Sequence, residues 1–144
     1  MKQIILCRGI QASGKTTWAR KWAEEDPQHR IRYNNDDIRT MLGKYWVPER
    51  ESIVQRARMA IITEAMEAGY DIVVDNMNLN PKEEAWYRGV LKEFEDRRGV
   101  KYEIIHRDFK TPLEECILRD SKRPNPIGEQ VIRATFERYK DFYD

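Results

Sequence analysis

Gly9-Ile10-Gln11-Ala12-Ser13-Gly14-Lys15-Thr16 fits the order G-x-x-x-x-G-K-[ST]. Each residue type there serves phosphate chemistry. The glycines let the backbone wrap closely, so that its N–H groups point at phosphate oxygens, and a following helix N-terminus adds partial positive charge. Lys15 would place a point charge on the terminal phosphates of a nucleotide, and the Thr16 hydroxyl would be a ligand for Mg²⁺. A second group is Asn34-Asn35-Asp36-Asp37-Ile38-Arg39. A carboxylate beside an acceptor hydroxyl can orient it and take its proton late, and an arginine can hold an acceptor phosphate through paired hydrogen bonds. Asp36 and Arg39 are three apart, which one helical turn brings to the same face. The plainer reading makes Asp36 a helix cap and Asp37–Arg39 a solvated pair.

Two further groups are of interest. Arg119, Lys122 and Arg123 crowd a helix end before Pro124-Asn125-Pro126. Such a basic turn either meets the helix dipole or forms an arginine-bearing lid, spanning about residues 119–127, that closes over a nucleotide. Asp75-Asn76-Met77 follows an apolar run, so Asp75 either supports Mg²⁺ through water or caps the next turn. Lys44, Arg50, Arg56 and Arg58 lie near Tyr45 and Trp46 in the chain. Such a mixture either lines a single-strand channel, with a ring for stacking, or packs a loop on the core.

The elements needed to hold these groups are legible as short apolar runs alternating with helical patterns. Strands are expected over Lys2–Arg8, Ile31–Asn34, Tyr70–Val74 and Val100–His106. The first helix runs from the glycine loop to about Glu25. A second spans about Pro48 to Ala68, with Val54, Ala57, Ile61, Ala65 and Ala68 on its buried stripe. A third opens at Asn80-Pro81, with Tyr87, Val90, Leu91 and Phe94 inward and Gly99 at its end. Thr111-Pro112-Leu113-Glu114 reads as a capping box for a fourth. The last, Glu129–Asp144, buries Ile132, Thr135, Phe136 and Tyr139. Strands separated by helices imply right-handed crossovers and a mostly parallel sheet. The Gly9 loop, Asp36, Asp75 and Asp108 then gather at the sheet's C-terminal edge, where ligands of such folds bind.

The chain has 144 residues, a length suited to one domain with a single core. Its 26 basic and 25 acidic residues exclude a uniform polycation that coats nucleic acid, though not a local basic patch. Its longest apolar runs, such as Ile4–Cys7 and Met59–Ile62, fall far short of the ~20 residues of a membrane span. No secretion signal is apparent, and a cytoplasmic protein with buried free Cys7 and Cys116 is expected. His29 and His106 cannot complete a zinc site. An N-K-x-D base-reading motif is absent, and Asp96-Arg97-Arg98-Gly99 falls at the end of a charged helix, so a GTPase switch is not expected.

The chain resembles the kinase domain of bacteriophage-type polynucleotide 5′-kinases, P-loop kinases that phosphorylate 5′-OH ends of DNA or RNA. The resemblance rests on the glycine loop with Thr16-Thr17-Trp18-Ala19-Arg20, on Asp36-Asp37-Ile38-Arg39, on Asn78-Leu79-Asn80-Pro81, and on Arg119-Asp120-Ser121-Lys122-Arg123. It implies an α/β P-loop kinase fold over residues 1–144, a mostly parallel sheet flanked by helices, and an arginine-bearing lid. It implies ATP or another NTP as donor, Mg²⁺, and nucleic-acid ends as acceptor, in the cytoplasm of a bacterium or phage-infected cell. Lys15, Asp36, Arg39 and Arg123 would be catalytic, with Asp36 as general base and Arg39 on the acceptor's phosphate. Gly9 through Thr17, with Arg119 and Arg123, would bind nucleotide. Asp36, Arg39, Asp75, Asn76 and Met77 would face the acceptor, although that family often has a threonine at the Met77 position. A small-molecule P-loop kinase or a slowly turning nucleotide-dependent binding module are the alternatives. Neither a D-x-D pair nor K-x-D-G occurs. Separate 3′-phosphatase and ligase proteins are therefore expected to complete the work.

Overall fold

A continuous apolar run in the first strand, Ile4-Ile5-Leu6-Cys7, sets the architecture. In the computed structural model, which describes residues 2–144, β1 (Lys2–Arg8) is flanked by strands on both sides. Ile4 and Leu6 point to one face of the sheet, and Ile5 and Cys7 to the other, as a period of two requires. Burial on both faces is the mark of a parallel strand covered by helices. The remaining strands are β2 (Arg30–Tyr33), β3 (Asp71–Val74) and β4 (Tyr102–Asp108), and the order β2-β3-β1-β4 is parallel throughout. Ile4 is in register with Ile72 on one side and Ile104 on the other.

Helix α1 (Lys15–Glu24) covers the Ile5 face, where Ala19, Val73 and the rings of Trp18, Trp22 and Phe109 complete a small core. The Ile4 face carries the larger core under α3 (Glu51–Glu67) and α4 (Pro81–Arg98), with α2 (Asn35–Met41) contributing Ile38. A third cluster of Ile10, Ala12, Cys116 and Ile132 joins the glycine loop to α5 (Leu113–Ser121) and α6 (Glu129–Arg138). The expected α/β sheet is therefore present. No described helix is long and apolar enough to cross a membrane.

Local chemistry accounts for the boundaries. The Asn34 side chain accepts from Asp37 N at 2.8 Å to cap α2, and Asn80 accepts from Lys82 N at 3.0 Å to cap α4. Gly99 ends α4 with φ +68°, the left-handed conformation that glycine adopts without steric cost. Three details differ from the sequence reading. The buried stripe of α3 is Val54, Arg58, Ile62, Ala65 and Met66, while Ile61 and Ala68 are exposed. Arg58 is tolerated inside because its guanidinium pairs with Glu83 at 2.6 Å and Gln55 at 2.6 Å and lies 3.8 Å from the Trp86 ring centre. The Thr111 hydroxyl does not cap α5; it donates instead to the Ser13 carbonyl of the glycine loop at 2.8 Å. The last helix stops at Arg138 and is followed by a 3₁₀ turn, Lys140–Tyr143.

Candidate active site

The glycine loop leaves β1 and enters α1 through two residues in left-handed conformation, Ala12 (φ +61°) and Gly14 (φ +102°). A Cβ at Gly9 would approach the Phe109 carbonyl to 2.8 Å, so only glycine fits there. The loop is braced from several sides. Ile10 N donates to the Tyr143 hydroxyl at 3.0 Å, and the Gln11 amide donates to Thr135 at 3.1 Å. Lys15 is buried, its ammonium donating to the Gly9 carbonyl at 2.7 Å and the Ile10 carbonyl at 2.6 Å. Burial pushes its pKa down to about 8 against the pull of the Asp75 carboxylate, and the Arg123 charge adds to the push. The Lys15 ammonium thus holds the loop's own carbonyls. Thr16 and Thr17 are exposed at the start of α1.

A chain of hydrogen bonds links this loop to the start of α2 and to residues 75–77. Gly9 N donates to the Met77 carbonyl at 3.2 Å, and Asn35 N donates to Asn76 Oδ1 at 3.0 Å. The Asn34 amide donates to the Asp75 carbonyl. Met77 therefore serves the loop through its backbone, which no side-chain hydroxyl is needed to supply. Asn78, in left-handed conformation (φ +50°), is buried and donates to the Cys7 carbonyl at 2.7 Å. These contacts bring the starts of α1 and α2 and the end of β3 to one edge. Of the residues singled out from sequence there, Asp108 is committed elsewhere. Arg8 binds it at 2.7 and 2.9 Å and holds it below the usual carboxylate range.

Asp36 is exposed at the first turn of α2, and its Oδ1 accepts from Arg39 Nη1 at 2.8 Å and from the Tyr45 hydroxyl at 2.9 Å. Asn34, not Asp36, is the cap. Arg39 is also gripped by Glu51, whose two oxygens accept from Nε at 3.0 Å and Nη2 at 2.7 Å. That guanidinium holds Glu51 below the ordinary carboxylate range and is itself pushed up by the pairing, Glu51 foremost. Trp46 lies under it, with 5.7 Å from the guanidinium carbon to the ring centre. Asp37 pairs instead with Arg32 at 2.6 Å. Arg32 also binds Asp75, whose side chain is only 1% exposed, through Nε at 2.9 Å and Nη2 at 2.8 Å. Asp75 is thus neither a turn cap nor an unengaged carboxylate. Of the basic residues near Tyr45 and Trp46 in sequence, Arg58 is buried and Arg50 is tied to the Leu42 carbonyl at 2.8 Å, so these two line no open channel.

At the opposite side of the glycine loop, a Cβ on Gly14 would lie 3.5 Å from Arg119 Nη1, so this guanidinium sits over the loop. Arg123 is half-exposed and lies 3.9 Å from Asp120. The residue overlooked in the sequence is Asp120, only 2% exposed, whose two oxygens accept from Ile127 N at 3.0 Å and Gly128 N at 2.9 Å. It fastens the return of the Lys122–Gly128 segment to the end of α5. An aspartate between two arginines reads as a helix-end charge until the loop that it holds is seen.

A family model described as an AAA domain matches residues 4–144. The chain belongs to that family. Its AAA domain is 24% identical over 140 residues to L-seryl-tRNA(Sec) kinase of Methanococcus maripaludis, covering 94% of this chain and 52% of that protein. The chain thus spans about half the length of this curated relative. Among solved structures, a chain of the Pnkp1/Rnl/Hen1 RNA repair complex matches with TM-score 0.72 and 20% identity, covering 99% of this chain and 46% of that one. The Mycobacterium tuberculosis APS kinase CysC, with AMPPNP and APS, matches with TM-score 0.59 and 19% identity, covering 84% and 69%. Shikimate kinase from Acinetobacter baumannii gives TM-score 0.53 and 22% identity, covering 99% and 79%. The AAA domain described here therefore has the P-loop kinase fold.

Proposed function

We propose that this domain transfers the γ-phosphate of ATP or another NTP to the 5′-OH end of a DNA or RNA strand, in nucleic-acid end healing. The observation that carries the reading is the Asp36–Arg39 pair at the start of α2, flanked by the half-exposed rings of Tyr45 and Trp46, with the start of α2 joined to the glycine loop through Asn76 and Met77 after β3. A carboxylate, a cation and aromatic surface together suit the end of a polynucleotide, which offers a hydroxyl, a phosphate and bases. The likeness in fold to a chain of an RNA repair complex supports the same class.

In this reading Lys15 leaves its loop carbonyls for the β- and γ-phosphates, and the backbone N–H groups of residues 11–17 line the triphosphate. Mg²⁺ fits the exposed Thr16 hydroxyl, which can bind it directly, whereas the Asp75 carboxylate, buried against Arg32, would have to release that guanidinium to reach the ion through water; the ion would neutralise phosphate charge. No cluster of three or more metal-binding side chains occurs among the described residues, and an ion held largely by nucleotide phosphates needs none. The acceptor oxygen attacks the γ-phosphorus as the bond to the β–γ bridging oxygen breaks. Its proton passes to Asp36, and the nucleoside diphosphate leaves. Arg119 and Arg123 neutralise charge that spreads over the transferring group.

One observation favours a second reading. Glu51 already satisfies Arg39, so an acceptor phosphate must compete with a carboxylate for that guanidinium. An acceptor that brings only a hydroxyl to this position faces no such competition. Comparing a 3′-phosphorylated nucleoside with the bare nucleoside decides between them. A strong preference for the phosphorylated acceptor, lost in Arg39→Ala through a raised acceptor KM, supports the polynucleotide reading. Equal use of both contradicts it.

A further inference from the structure

We propose that Tyr45 is a positioning residue for the acceptor-side carboxylate, fixing Asp36 so that Oδ2 faces the hydroxyl to be phosphorylated. The inference rests on the reading of Asp36 as general base. The Tyr45 hydroxyl at 2.9 Å and Arg39 Nη1 at 2.8 Å both donate to Oδ1, and among the described residues no hydrogen bond falls on Oδ2. Two donors on one oxygen stop the carboxyl from rotating about its bond to Cβ and leave the other oxygen as the proton acceptor. Asp36 is itself exposed, so packing does not fix its rotamer.

The segment that delivers Tyr45 is built for a fixed position. It turns at Gly43 (φ +118°), where a side chain would be strained. Arg50 bonds back to the Leu42 carbonyl at 2.8 Å, and the Trp46 ring rests on Arg39. Burial, followed by the nearby Asp36 charge, raises the phenol pKa to about 12, which keeps it a donor at any pH where the enzyme would be assayed. Arg39 is in turn held by Glu51 from α3, so both donors to Oδ1 are anchored outside the first turn of α2.

The test uses γ-labelled ATP and a 5′-OH oligonucleotide. Tyr45→Phe keeps the ring and removes only the donor. The expected result is a kcat about tenfold lower, with both KM values and the melting temperature essentially unchanged, as for a reacting group left free to swing. In an Asp36→Ala background, under single-turnover conditions, adding Tyr45→Phe should change nothing further. An unchanged kcat, a raised acceptor KM with intact kcat, or the same loss in the Asp36→Ala background overturns the positioning role. The reading beneath it fails separately: if Asp36→Ala transfers at the normal rate, or the unmutated protein phosphorylates no oligonucleotide, there is no base for Tyr45 to position.

Discussion

Raising the pH through 8 should weaken nucleotide binding, because the glycine-loop lysine is nearly dehydrated in the free protein. Its ammonium is held by loop carbonyls, and burial lowers its pKa from 10.5 to about 8. A bound triphosphate supplies negative charge and raises that value again. The sign follows directly. Below about pH 7 Lys15 is protonated both free and bound, and affinity is flat. Above 8 the free protein has lost a proton that the complex retains, so binding must take one up and Kd rises towards tenfold per pH unit. If the phosphates restore an ordinary lysine pKa, the full effect approaches about 3 kcal/mol, or a few hundred-fold in Kd, by pH 10.5. Calorimetric titration with a non-hydrolysable ATP analogue between pH 7 and 9.5, in buffers of different ionisation enthalpy, measures both Kd and proton uptake. Lys15→Ala should bind weakly and without this pH dependence. A Kd for the unmutated protein that stays constant from pH 7 to 9.5 would refute the burial argument.

Asp36→Asn should leave nucleotide and acceptor binding intact and cut the chemical step about 10²- to 10⁴-fold, measured by single-turnover transfer; greater damage from Asp37→Asn would move the base to the next residue. Asp120→Ala removes the acceptor of two amides around a side chain that is only 2% exposed, and should lower stability by about 2–5 kcal/mol in urea unfolding. A loss under 0.5 kcal/mol would show that those amides find other partners. Arg123→Ala should lower kcat at saturating ATP with little change in melting temperature, whereas a purely structural lid arginine would show the reverse.

The parts of the site legible in the sequence were those encoded by short spacing. The glycine loop needs only consecutive residues, and Asp36–Arg39 needs one helical turn; the structure shows the first as a braced loop and the second as an ion pair at 2.8 Å. What spacing cannot show is a partner delivered by another element. Glu51 reaches Arg39 from twelve residues away, and Arg32 reaches Asp75 from the neighbouring strand. Asp120 has no meaning until residues 127 and 128 return to it. The buried face of α3 lies one position on from the expected Ile61 because an arginine, compensated by Glu83 and Trp86, occupies a place that hydrophobic periodicity assigns to apolar residues. Thr111 has the right sequence for a cap, but the Ser13 carbonyl offers its hydroxyl a partner across the fold.

The most direct measurement offers γ-labelled ATP and Mg²⁺ to a panel of hydroxyls. The panel holds 5′-OH DNA and RNA oligonucleotides, seryl-tRNA, shikimate and APS, with products resolved by nuclease digestion and chromatography. The proposed function predicts label on oligonucleotides, recovered as 5′-mononucleotide, with little on the small molecules. Label transferred to a small molecule or to the seryl hydroxyl, with none on 5′ ends, would contradict it.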